Sequence, residues 1–499
     1  MRSAICLLLS ALLLLGLPLA GAEDLGVPDY VLEGFDGENT SHDWETNLFF
    51  RRMQEDTGIR FEYRQVNSAG AWEERKQEIL RGENLPDVLF KAALTDEETI
   101  AMAEEGILLD LTPYLAEYAP DLTALLDSHP EWREAITLPD GTIRALPAIN
   151  ELPSNNLMWI NQTWLDNLRL ETPSTAEELT EVLRAFRDGD PNRNGRKDEI
   201  PLSVLGMWDL RFLGHAFGIT DNDYYLSLKD GRITSALTGA ENRAFLTWLK
   251  TLWDENLLSH QAFSTADPLR QITDKSAAIP YGVFLSASPL NVVPAEALDQ
   301  YTVLSPLTYD GKQVYRRLLG DVTRGTFALT RTCANPERMV AWVNRLYTEE
   351  GSILIQAGRE GEEYMWNENG AWEWIADLET VAGQILPAAT LAEGTEAPGI
   401  TTEAFQSLYM DSRTGTLIEG MKRVREYSVL PVPQRMLKRE DAEAIAKVQA
   451  NLAPWAETAM ARFIAGDVPL DDKHWNQFAA EAEERGLPEL IGLWQKQFQ

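Results

Sequence analysis

Asp190, Asn192, Asn194, Asp198 and Glu199 set oxygen side chains at alternate, then adjacent, positions of one short loop, with Gly195 between them. A tight loop points every second side chain inward, and hard oxygen donors at that spacing suit a calcium ion. Gly195 can take the positive φ that lets the chain wrap a cation. Arg196 follows it and offers a backbone carbonyl. Pro201 stands where an EF-hand loop carries its bidentate Glu, so the Asp198-Glu199 pair must replace that ligand. Arg193, Arg196 and Lys197 alternate with the oxygen donors and would face solvent. The same residues also spell a polar Asn/Gly turn that binds nothing, and spacing alone leaves both readings open. The rest of the chain offers no reactive centre. His42, His129, His215, His260 and His474 do not pair at metal-ligand spacing. There is no G-x-S-x-G and no phosphate-binding loop. Cys333 has no histidine beside it and reads as a small buried apolar residue. With 78 acidic residues, no carboxylate pair stands out as a glycosidase acid and base.

The elements around the loop follow from periodicity. Thr175 caps a helix, Glu178 completes a capping box, and Leu179, Val182, Leu183 and Phe186 keep the helical period. Asp188-Gly189 ends that helix and the loop follows. A second helix starts at Asn335-Pro336-Glu337. Short strands are expected at 88–90, 157–160 and 327–330, and a polar crossover between lobes at Pro147 to Asn156. From about Ala442 the chain reads as helical, packed by Trp455, Phe463, Trp475 and Phe478. Helical and extended segments alternate throughout, which is the pattern of an α/β protein.

Arg2, the apolar stretch from Ala4 to Leu19 and the small residues Ala20-Gly21-Ala22 form an export signal, with cleavage expected near Ala22. No cysteine follows the cleavage point, so no lipobox is present and a soluble periplasmic or secreted chain is expected. Cys333 alone remains, so the fold must rest on its cores without a disulfide. The formal charge of −34 argues against nucleic acid and anionic membrane as partners, and disfavours a polyanionic ligand.

One set of segments resembles a known family. Thr57-Gly58-Ile59, Leu85-Pro86-Asp87-Val88, Gly106 to Tyr114, Pro139-Asp140-Gly141 and Trp159 to Leu165 occur in order. Pro173-Ser174-Thr175, the 190–199 loop, Asn335-Pro336-Glu337, Glu360-Gly361 and Phe463 to Gly466 continue the series. Together they resemble the extracellular solute-binding proteins of ABC importers, family 1, which include calcium-containing alginate-binding proteins. The resemblance implies a type II periplasmic-binding-protein fold: two α/β lobes, a hinge, and a ligand cleft between them. It places 23–148 plus about 303–365 in an N-terminal lobe, and about 149–302 plus 366–499 in a C-terminal lobe carrying the loop. It implies a structural Ca2+ held by Asp190, Asn192, Asn194, the Arg196 carbonyl, Asp198 and Glu199. It further implies a monomer that performs no bond chemistry and delivers an oligosaccharide to ABC permease subunits in the inner membrane. A peptide or other small solute on the same scaffold, and a secreted glycan-active enzyme, are the alternatives.

Sugar clefts pair aromatic faces with polar side chains. Trp44, Trp208, Tyr281 and Tyr409 lie in segments that read as loops near strand ends, with Trp208 foremost beside Gly206, Asp209 and Arg211. Asp43, Asn47, Lys91, Glu151, Arg324 and Arg413 are the polar candidates by the same reasoning. Trp159, Trp164, Trp248, Trp253 and Trp342 fit packing positions instead.

Overall fold

The computed structural model describes residues 28–38, 40–260, 281–409 and 415–499. The expected signal segment 1–22 and the candidate Arg413 lie outside these residues. Ten strands build two sheets. In chain order they are β1 (Tyr30–Phe35), β2 (Phe61–Val66), β3 (Val88–Phe90), β4 (Ala145–Asn150), β5 (Leu157–Asn161), β6 (Ile200–Ser203), β7 (Tyr281–Ser286), β8 (Tyr301–Val303), β9 (Val322–Leu329) and β10 (Gly399–Thr401). The first sheet has the order β10-β4-β9-β3-β1-β2, and the second β8-β5-β7-β6. In the first, only β9 runs antiparallel to its neighbours. In the second, β6 and β7 are parallel, while β5 and β8 complete the sheet antiparallel. This is the two-lobe α/β fold that the sequence implies.

Each sheet has its own apolar core. The first is centred on Leu32, Trp44, Phe90, Leu146 and Trp342, the second on Trp159, Phe186, Leu202, Leu249 and Phe463. Trp44 and Trp342 both meet the Phe90 ring near edge-on, at 5.8 and 5.9 Å between centroids. Fully burying such a side chain contributes roughly 1.5–3 kcal/mol or more, which is why these strands need no polar face. Trp159, Trp164 and Trp342 are buried, and Trp248 and Trp253 pack against the second core, as the packing reading expects.

The chain passes between the cores three times: between Ile149 and Leu152, between Tyr315 and Val322, and between Ile400 and Ile418. The first crossing lies within the expected 147–156 segment but ahead of Pro153 and the Ser-Asn-Asn run. The other two lie later than the expected divisions at 303 and 365. Leu304, Leu307 and Tyr315 still belong to the second core, and β10 still pairs with β4 of the first sheet.

Local chemistry explains the remaining differences. Thr175 accepts from Glu178 N at 3.1 Å, but the Glu178 carboxylate accepts from Ser174 N and Oγ, one residue beyond the expected box. The strand expected at 327–330 begins five residues earlier, with its register shifted between Thr323 and Phe327. Gly325 sits in that bulge at φ 70°, where an added Cβ would lie 2.1 Å from Leu94 O. A bulge breaks alternation, so the sequence pattern hides the first half of the strand.

Candidate functional site

In open α/β sheets a ligand sits outside the carboxyl ends of the parallel strands, where no side chain of the sheet fills the space. The crossing strands β4, β9 and β10 occupy one edge of the first sheet, and β5 and β8 one edge of the second. The carboxyl ends of β1, β3 and β6 belong to the strands that lie beyond those crossing strands in each sheet. They carry Asp36, Lys91 and, after Ser203, the short helix Met207–Leu210 with Trp208.

At the β1 and β3 ends the structure brings Asp36, His42 and Lys91 together, all buried. Asp36 Oδ2 meets His42 Nδ1 at 2.7 Å and accepts from Gln65 Nε2 at 3.1 Å, while Oδ1 contacts Lys91 Nζ. Burial alone would raise the Asp36 pKa, but the His42 hydrogen bond and the Lys91 charge more than offset it and hold it low. Burial pulls the Lys91 ammonium down, and Asp36 only partly opposes that. Lys91 also donates to Glu393 O at 2.7 Å. It fastens the 391–395 segment across the strand ends and does not reach solvent. The backbone there is strained, since Lys91 and Ala93 both have positive φ, 51° and 47°.

Several other sequence candidates serve the scaffold. Trp44 is fully buried in the first core, so its face meets Phe50 and Phe90 and no ligand. Asn47 caps the helix Leu48–Thr57, accepting from Phe49 N at 2.8 Å and donating to the carbonyls of Pro387 and Thr390 at 3.0 Å. Asp43 is exposed and caps the turn before it through Glu45 N and Thr46 Oγ1. Tyr281 opens β7 opposite Ile200, at the end of the second sheet next to the 190–199 loop and away from the crossings. Arg324 lies in the β9 bulge, ion-paired with Asp96 at 2.7 Å. Tyr409 ends the helix Glu403–Tyr409.

Glu151 braces the hinge. Its Oε2 accepts from Glu403 N at 2.9 Å, and its carbonyl accepts from Arg425 Nη1 at 2.8 Å, which ties the first crossing to the third. The cavity it lines with Trp132, Asn155, Arg317 and Arg425 measures about 90 Å³. That is well below the several hundred Å³ of a ligand pocket, so it is a packing gap of the hinge. The first two crossings are also tied: Asn155 Nδ2 donates to Arg316 O at 3.0 Å, and Tyr315 Oη to Asn156 O at 2.6 Å.

Trp208 stands apart. It is 42% exposed, its ring edge-on to Phe212 at 5.0 Å, and its Nε1 donates to Asp223 Oδ1 at 3.1 Å. The same carboxylate oxygen contacts the guanidinium of Arg316, which is buried over the Phe212 ring. The next residue of its helix, Asp209, is buried and accepts from Leu205 N at 2.6 Å and from Asn156 Nδ2 at 3.0 Å, which couples the Trp208 helix to the first crossing. Burial lifts the Asp209 carboxyl to about 6. Asp223 and Arg316 escaped the sequence reading. One acid among 78 carries no pattern, although its position beside Tyr224-Tyr225 is the one local signal.

In the 190–199 loop, Gly195 has φ 74° and Asp190 φ 48°, as a wrapped loop needs. Asp190 accepts from the backbone N–H groups of Asn194 and Gly195. Asp198 accepts from the Asn192 and Asn194 amides, and Asn194 Oδ1 accepts from Arg196 N at 2.7 Å. Among the described residues no group of three or more His, Cys, Asp or Glu is placed to hold a metal ion. The donor set nonetheless fits a hard cation. Glu199 Oε1 is buried without a partner, and its pKa is raised by burial and by the Asp198 and Asp190 charges. A nearby cation would relieve that repulsion.

No protein-family model matches the chain. It is 27% identical over 483 residues to the fructooligosaccharide ABC transporter substrate-binding protein FusA of Streptococcus pneumoniae serotype 4, covering 90% of this chain and 86% of that protein. Among solved structures, an extracellular solute-binding protein from Bifidobacterium longum subsp. infantis superposes with a TM-score of 0.77 at 22% identity, over 95% of this chain and 98% of that one. The FusA EF-hand mutant in complex with fructo-nystose does so with a TM-score of 0.68 at 24% identity, over 94% and 98%. Among the described residues no helix is long and apolar enough to cross a membrane. The chain has the two-lobe fold of ABC-transporter substrate-binding proteins, and the relative it matches along 90% of its length is of that class.

Proposed function

We propose that this chain binds an oligosaccharide in the crevice between its lobes and delivers it, as a monomer outside the cytoplasm, to the permease of an ABC importer, with no bond chemistry of its own. The observation that carries the reading is the similarity to a fructooligosaccharide-binding protein along 90% of the chain, on a fold whose three crossings form a hinge. Ligand touching both lobes favours the closed state by its differential affinity, and a permease can read that state. Trp208 is the aromatic platform of the second lobe. A structural Ca2+ in the 190–199 loop belongs to the same reading, supported by the orphaned Glu199 oxygen and by the EF-hand named for FusA.

The test is a thermal-shift screen of oligosaccharides against peptides, with product analysis of every sugar. A sugar should raise Tm by mass action and be recovered intact. Shortened sugars would show an enzyme, and a response to peptides alone would move the ligand class.

A further inference from the structure

We infer that Trp208 and Asp223 form a subsite for a neutral sugar ring, in which Asp223 selects hydroxyl pairs and turns away uronic acids. This rests on the oligosaccharide reading and narrows it.

Trp208 Nε1 and Arg316 Nη2 both engage Asp223 Oδ1. Asp223 Oδ2 has no hydrogen-bond partner among the described residues, and about half of the side chain is exposed. The indole is thus fixed at one edge by Phe212 and one atom by Asp223, leaving a rigid apolar face beside an open carboxylate oxygen. That pairing matches a sugar ring laid on the indole with its C–H face, its hydroxyls donating to Oδ2. A ring carboxylate turned toward Oδ2 would meet Asp223 at hydrogen-bond range, and like charges so close repel strongly.

A uronate would need an unpaired cation nearby, and among the described residues the cations at these strand ends are engaged. Arg316 is 3% exposed and paired with Asp223 itself. In the first lobe, Lys91 is locked to Asp36 and Arg324 to Asp96. At the hinge, Arg317 is paired with Asp321 at 2.7 Å. Arg211 lies over the Tyr225 ring and donates to the carbonyls of Asn222 and Asp223. The field of a chain with a net charge of −34 acts in the same direction.

Calorimetric titration of the full chain with 1-kestose, maltotriose, trigalacturonate and a tripeptide tests the inference, alongside Trp208→Ala and Asp223→Asn. At least one neutral trisaccharide should bind, with trigalacturonate on the order of 100-fold weaker. Each variant should weaken the neutral sugar on the order of 10-fold or more, and Asp223→Asn should narrow the gap to the uronate. Trigalacturonate binding as tightly as the neutral sugars overturns the inference and leaves the oligosaccharide reading standing. Neutral binding unchanged in Trp208→Ala overturns it as well. Binding of the tripeptide with no sugar bound overturns both. If Asp223→Asn fails to fold because Arg316 loses its counter-charge, the wild-type ratio and Trp208→Ala still decide.

Discussion

Lys91 shows how a polar residue near a strand end can be a fastener. Its ammonium neutralises Asp36 in a site closed to solvent and holds the segment that crosses β1 and β3. Replacing one member of a buried ion pair leaves the other charge uncompensated, at a cost of about 3–5 kcal/mol. Lys91→Met should therefore lower the stability of the ligand-free protein by about that much in urea denaturation. A variant as stable as wild type would show that Asp36 is not held ionised by Lys91. At this scale the exposure of Trp208 was legible, because Gly206, Asp209 and Arg211 set it apart from a packing stretch, although the structure makes the segment a short helix with Asp209 buried. It was not legible for Trp44 or Asn47. A buried aromatic and a helix cap both sit in turn-like sequence, and only packing tells them from ligand contacts.

The short helix Met207–Leu210 joins the candidate subsite to the hinge through Asp209, and it has its own pH signature. The Asp209 carboxyl titrates near 6 against an ordinary 3.8, because burial disfavours its charged form. The folded state thus binds the extra proton between those values, and this contribution to stability falls as pH rises from about 4 to 6. His215, buried with Nε2 accepting from Leu307 N at 2.9 Å, is lowered by burial to about 4 from 6.5. Its contribution runs the other way: it is full above 6.5 and lost as pH falls towards 4. Asp209→Asn removes one of the two opposing titrations. The variant should lose stability toward pH 4 more steeply than wild type, by about 3 kcal/mol relative to pH 7, from two units at about 1.4 kcal/mol each. Parallel pH profiles from urea unfolding would sink that assignment.

The 190–199 loop is the second element with a measurable signature. Saturating Ca2+ at about 100 times its Kd should add about 2.7 kcal/mol of stability, which chelation removes. Asp198→Ala should lose that response while the ranking of sugars stays as in wild type. A changed ranking with an unchanged Tm would place the ion in ligand recognition. Elements with regular periodicity, such as the helix Ala176–Asp188, could be read from sequence. The β9 bulge could not, because the close approach of Gly325 to Leu94 is set by tertiary packing.

For the whole molecule, the lobes also meet outside the hinge. Met436 is buried with Ile100 and Leu138 of the first lobe, and Arg435 pairs with Glu134 at 2.8 Å. These contacts belong to the arrangement described and must part if the lobes swing open. Met436→Asp should shift the ligand-free protein toward open forms, read as a larger radius of gyration in X-ray scattering, and should weaken sugar binding. An unchanged radius would mean that the contact does not restrain the lobes. The two-lobe plan was legible from the order of short motifs, whereas the later crossings were not. Residues between 304 and 321 carry no composition break where the chain changes core.

The interleaving of the two cores also sets a timetable. The first lobe draws its core from Tyr30 to Ile149 and from Val322 to Ile400, so its last strand exists once β10 has been synthesised. The second opens at Leu152, yet its core still waits for Ile445 to Leu490, from the helix Arg439–Ala465 onward, which packs against the helix Ala240–Asp254. A chain growing from its N-terminus can therefore complete the first lobe while the second, begun earlier than the first is finished, stays half-covered until the helix Leu487–Gln495 has been made.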